Sequence, residues 1–131
     1  MTQEEFRRLP FLLTKAQVAD VVGYAPSTLV KMVECGVLEK VLPAGAKEQR
    51  FRKVQVAMLL GYPWQEDAKA FRREPLLMKL KAVEVWTGYA EKTVRKIIRA
   101  GGLQWVRPAG MNEGKFRKAE VARLLGLEKI L

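Results

Sequence analysis

Histidine is absent from the 131 residues, and cysteine occurs once, at Cys35. Without histidine the chain lacks the commonest general base and the commonest nitrogen ligand for a metal. A single thiol excludes an internal disulfide framework and a multi-thiolate metal site. Cys35 falls in an apolar helical run, so a small buried side chain is expected there rather than a reactive one. No segment approaches the ~18 consecutive apolar residues that a membrane-spanning helix needs. The opening residues, Met1 to Arg8, are charged and lack the apolar core of a signal peptide, so a cytoplasmic, nucleoid-associated location is expected. The carboxylates are scattered and no glycine loop is built to cradle phosphate. No catalytic residue, cofactor or metal is expected, and the chain reads as a non-enzyme.

What the chain has in excess is positive charge. Lysine and arginine number 24 against 14 aspartates and glutamates, a net of +10. On so short a chain that balance favours a polyanionic partner, nucleic acid or an anionic membrane. The apolar fraction of 49% is that of a globular protein.

The sequence is also a duplication. Shifted by 65 residues, positions 6–62 match 71–127 without a gap, with 26 identities in 57. Phe6-Arg7-Arg8 falls on Phe71-Arg72-Arg73, Gly23-Tyr24-Ala25 on Gly88-Tyr89-Ala90, Pro43-Ala44-Gly45 on Pro108-Ala109-Gly110, and Phe51-Arg52-Lys53 on Phe116-Arg117-Lys118. Two units, 1–65 and 66–131, therefore fill the chain and leave no separate catalytic domain. The first has a net charge of +3 and the second of +7, so a polyanion should be gripped harder by the second.

Within the first unit, Thr14 can cap a helix that places Val18, Val21 and Val22 on one face. Gly23 ends it. Ser27 is the expected cap of a second helix with Leu29, Met32 and Val33 inward, and Gly36 supplies its left-handed stop. Two short strands then flank a glycine-containing loop, with Phe51 inward and Arg50 and Arg52 outward. A last helix closes the unit through Val56, Leu59 and Leu60. Glu84 stands where the first unit has the small Ala19, which predicts a tilt or splay of the second unit's helices. Met32, Met58 and Met78 read as core, Trp64, Trp86 and Trp105 as packing residues, and Arg7-Arg8 and Arg72-Arg73 as solvated helix surface. The join, Pro63 to Arg73, has helix-forming composition with Trp64, Ala68 and Phe71 on one face, and predicts a rigid connection holding the halves as a covalent pseudo-dimer.

The order of helix, turn, helix ending in Gly-x-Leu, basic hairpin and Arg-Phe-Arg-Lys before an apolar helix resembles the excisionase/MerR-like winged helix-turn-helix superfamily. The resemblance is carried by Thr14 to Gly23, Ser27 to Lys31, Gly36 to Leu38 and Arg50 to Lys53. In the second unit it is carried by Thr87-Gly88, Lys92 to Lys96 and Gly101 to Leu103. It implies a mainly α fold with small β-hairpin wings, a tandem duplicated winged helix-turn-helix. It also implies a second helix in the major groove and a wing on the DNA backbone. The long dimerisation helix and the ligand domain of MerR regulators have no counterpart. Excisionase-like architectural factors and phage packaging or recombination components resemble the chain better.

The expected partner is double-stranded DNA. On the two second helices the outward candidates are Ser27, Thr28 and Lys31, and Lys92, Thr93, Arg95, Lys96 and Arg99. Arg95 or Lys96 can donate to guanine O6 and N7, and the threonines suit phosphates or a thymine methyl. The wings offer Lys47, Arg50, Arg52 and Lys53, and Arg107, Lys115, Arg117 and Lys118, for phosphate contacts. The alternatives are an adaptor docking a recombinase, terminase or polymerase, and a structured-RNA binder. Oligomeric state, target sequence and half-site spacing stay open.

Overall fold

A computed structural model describes residues 1–130; Leu131, the last residue of the expected second unit, lies outside them. Helices dominate, accompanied by two small antiparallel sheets of three strands each. The first half runs α1 (Gln3–Arg7), β1 (Leu12–Leu13), α2 (Lys15–Val22), α3 (Pro26–Glu34), β2 (Lys40–Val41), β3 (Arg50–Arg52) and α4 (Lys53–Leu60). The second runs α5 (Gln65–Arg72), β4 (Leu77–Met78), α6 (Leu80–Thr87), α7 (Glu91–Arg99), β5 (Trp105–Val106), β6 (Lys115–Arg117) and α8 (Lys118–Leu125), closed by a 3-10 turn at Glu128–Ile130. Each element from α1 to α4 recurs 65 residues later, and only α5 departs, starting three residues ahead of the position that shift gives.

Local chemistry explains most boundaries. Thr14 and Gln17 form a reciprocal capping box, Gln17 N donating to Thr14 Oγ1 (3.1 Å) and Thr14 N to Gln17 Oε1 (2.8 Å). The cap of α3 is Ala25, with no side-chain bond, rather than Ser27. Pro26 takes the first helical position, where no N–H is required, and so starts the helix ahead of the serine. Cys35 is exposed, against expectation. It is the C-cap of α3 and lies about a third of a turn around the axis from the buried Leu29.

Each sheet has one strand more than the sequence suggests. Leu12 and Leu13 pair with Arg52 and Phe51 on the opposite side of β3 from Lys40 and Val41, giving the order β1-β3-β2. In α4, Val54, Val56 and Ala57 are buried, whereas Leu59 and Met58, expected inside, are exposed. Met32 is half-buried and Met78 fully buried.

The apolar core is not divided at residue 65. One cluster holds Phe6, Leu13, Val18, Leu29, Leu38, Phe51, Val56 and Ala57. The other, built on Phe71, Met78, Val94, Ile97, Phe116 and Leu125, also takes in Phe11, Leu12, Val41 and Val54 from the first half. Trp64 packs on both clusters. Along the seam, Phe11 N donates to Trp86 O (2.9 Å), and the Trp86 ring lies 5.2 Å from Phe11 and 5.1 Å from Phe71. Arg52 Nε donates to Leu124 O (3.2 Å), and Arg7 pairs with Asp67 (3.0 Å). The backbones nearly touch: a side chain on Gly45 would meet Lys96 O, and one on Gly102 would meet Ala44 O. The contact is head-to-tail, with the hairpin side of the first half on the helix side of the second.

Candidate nucleic-acid interface

The seam gathers charge. A cleft of about 290 Å³ is lined by Lys47, Glu48 and Arg50 from the β2–β3 loop and strand, and by Tyr89, Thr93 and Lys96 at and beside α7. Lys47, Arg50, Thr93 and Lys96 were all sequence candidates, drawn from the hairpin of one half and the helix of the other. Among the described residues, two buried side-chain polar atoms lack a hydrogen-bond partner, Arg50 Nε and Tyr89 Oη. Both residues line this cleft, with the Arg50 guanidinium 5.0 Å from the Tyr89 ring centroid. Burial raises the Tyr89 phenol above its usual pKa, and Arg50 opposes that rise. Tyr89 was no sequence candidate; its match to Tyr24 was visible, but not that one copy would be covered.

From the cleft, α7 carries its exposed face outward. Val94 and Ile97 are buried, and Lys92, Arg95 and Arg99 are exposed. Arg95 is held by Glu91 one turn earlier (2.9 Å), an exposed pair that a stronger anion can displace. Beyond it, a groove of about 570 Å³ runs between α6, α7 and the second hairpin. Lys79, Lys81, Arg95 and Arg107 line it together with Glu84, Glu91 and Glu113. Lys79 and Lys81 were missed; they take the places of Thr14 and Ala16, and only that charge gain marked them. Glu84 is half-buried and lines this groove together with Lys79, Lys81, Arg95 and Arg107. Over much of the same surface in the first half, a pocket of about 100 Å³ is lined by Lys15, Leu29, Val30, Val33, Glu34 and Lys40.

The remaining candidates divide. Ser27 and Lys31 are exposed on α3 and Thr28 is half-buried. Arg117 is exposed, donating to Gln104 Oε1 (2.9 Å), and Lys115 is half-buried. Three basic candidates are engaged inside the protein. Arg52 is committed to Glu39 and to the carbonyls of Arg123 and Leu124. Lys53 is 1% exposed, and its ammonium donates to Arg7 O and Leu9 O, both at 2.8 Å, beneath the rings of Phe6 and Phe11. Burial lowers its pKa to about 8, with Arg7 adding to the effect and Asp67 opposing it. Lys118 repeats the arrangement on Arg72 O and Glu74 O. The β3–α4 and β6–α8 junctions aim these lysines at the carbonyl ends of α1 and α5, so the expected phosphate contacts of Lys53 and Lys118 are corrected to internal ones.

A roomier seam cleft, about 560 Å³, sets Arg7 and Arg8 against Glu66 and Asp67, so its charges balance within the protein. The Arg7 guanidinium is raised in pKa by its hydrogen bond to Asp67 and then by that residue's charge. No helix of the described residues is long and apolar enough to cross a membrane, and no cluster of ligating side chains that could hold a metal occurs among them. No protein-family model, curated protein or solved structure matches the chain.

Proposed function

We propose that the chain binds double-stranded DNA through two linked winged helix-turn-helix units, α7 and the cleft beside it forming the main contact surface. In this reading α2–α3 and α6–α7 are the helix pairs, and the β2–β3 and β5–β6 hairpins are the wings. The observation that carries it is the convergence of Lys47, Arg50, Thr93 and Lys96 on one cleft holding two unpartnered donors. Phosphate oxygens accept from ammonium groups such as those of Lys47 and Lys96, and counterions are released as they bind. Lys92, Arg95 and Arg99 then face the groove edge, where an arginine can read guanine. The role is architectural or regulatory, of the excisionase, phage or transcription-regulator type.

The test is a titration of labelled random and selected duplexes, with structured RNA as competitor. Arg95→Ala with Lys96→Ala is expected to weaken duplex binding more than Lys31→Ala, since the second unit carries more of the charge. Equal losses, or preference for RNA, contradict the reading. An adaptor that docks a recombinase, terminase or polymerase without touching DNA predicts no duplex binding at all.

A further inference from the structure

The internal seam uses a different face of each half, so each half retains unused the face that its twin employs. On the hairpin side of the first half, Phe11 and Leu12 are 5% and 0% exposed; their counterparts Leu76 and Leu77 are 80% and 36% exposed. On the helix side of the second half, Tyr89 is 2% exposed, whereas Tyr24 is 54% exposed. Met111, Met58, Leu59 and Val37 are also exposed, at the places matching Ala46, Arg123, Leu124 and Gly102 of the seam. Among the described residues, most of the exposed large apolar side chains thus fall on two surfaces whose counterparts fit each other within one chain.

We propose that the free hairpin face of the second half docks on the free helix face of the first half of another copy of this chain, repeating the internal seam between molecules. Several of the seam's specific contacts have counterparts on these two faces. Arg52, which donates to the carbonyls of Arg123 and Leu124, matches Arg117, and the corresponding carbonyls belong to Met58 and Leu59. Gln104 already holds Arg117 (2.9 Å) as Glu39 holds Arg52 (3.3 Å), so the guanidinium is set for the same reach. Lys115 replaces Arg50 and keeps a cation for the ring of Tyr24. Ala109-Gly110 repeats the Ala44-Gly45 that crosses α7 so closely.

Three differences make the contact between copies weaker than the internal one. Val21 stands where Trp86 fills the seam, Thr2 replaces Asp67, and Val37 replaces Gly102, which the Ala44 carbonyl crosses. Because the surfaces are unlike, each docking leaves one of each kind open, and association extends into chains or rings rather than stopping at a dimer. This inference does not rest on DNA binding and is tested without DNA.

The experiment is sedimentation of the full chain over a hundredfold range of concentration. The average mass is expected to rise past that of a dimer. Tyr24→Glu spoils the helix face and Leu76→Glu the hairpin face; both positions are exposed, so circular dichroism should show an unchanged fold. Each variant alone is expected to stay monomeric, and an equimolar mixture to form a dimer and stop. Val37→Gly, which restores the shape of Gly102, is expected to strengthen association and keeps the test alive should a glutamate variant misfold. A wild-type chain that stays monomeric throughout, single variants that associate like wild type, or a mixture that stays monomeric would overturn the proposal.

Discussion

Lys53 and Lys118 show how far a basic residue's role depends on what lies across the fold. Each sits in an Arg-Phe-Arg-Lys run, yet each ammonium serves two carbonyls at the end of a helix 44 to 46 residues earlier. Helix ends leave carbonyls without intrahelical partners, and a buried lysine answers that need. No local pattern reveals it, because charge and spacing look the same for a lysine facing solvent. Lys53→Met is expected to cost on the order of 1–3 kcal/mol at neutral pH by stripping two buried acceptors. The pH dependence has a definite sign. With a folded pKa of about 8 against 10.5, the native state gives up its proton first. The unfolded chain therefore binds more protons between those values, and the wild type gains stability as pH rises through them. Urea melts at pH 7 and pH 9.5 should show the gap between wild type and Lys53→Met widening; a constant gap contradicts the assignment.

At the scale of elements, helices were the legible part because their apolar residues repeat at helical spacing and their ends carry Thr14, Gly23 and Gly36. Strand β1 was not legible, since two leucines show no alternation. Strand alternation did place Arg50 and Arg52 opposite Phe51, but outward from the first half means toward the second. The candidate site was thus half-readable: its cations were visible, and the seam that sorts them was not. Trp86 packs across the seam against Phe11 and Phe71. Trp86→Ala is expected to cost about 3 kcal/mol, and Val21→Ala at the matching place far less, as chemical denaturation can measure. Similar costs for both would mean the seam adds no stability.

The whole molecule follows from one duplication whose halves fold around a partly shared core. Phe11, Leu12, Val41 and Val54 pack with the second half's residues, so the halves cannot separate without exposing apolar surface. Backbone NMR relaxation should therefore give one rotational correlation time for both halves; independent tumbling contradicts a fixed seam. That rigidity sets the β2–β3 hairpin of one half beside α7 of the other and builds the cationic cleft.

The salt dependence of duplex binding tests the central claim most directly. Log K against log salt should fall steeply, by about 0.9 for each phosphate neutralised, and Lys47→Ala with Lys96→Ala should reduce that slope by about two such steps. A flat dependence, or a slope unchanged in the double variant, contradicts the account.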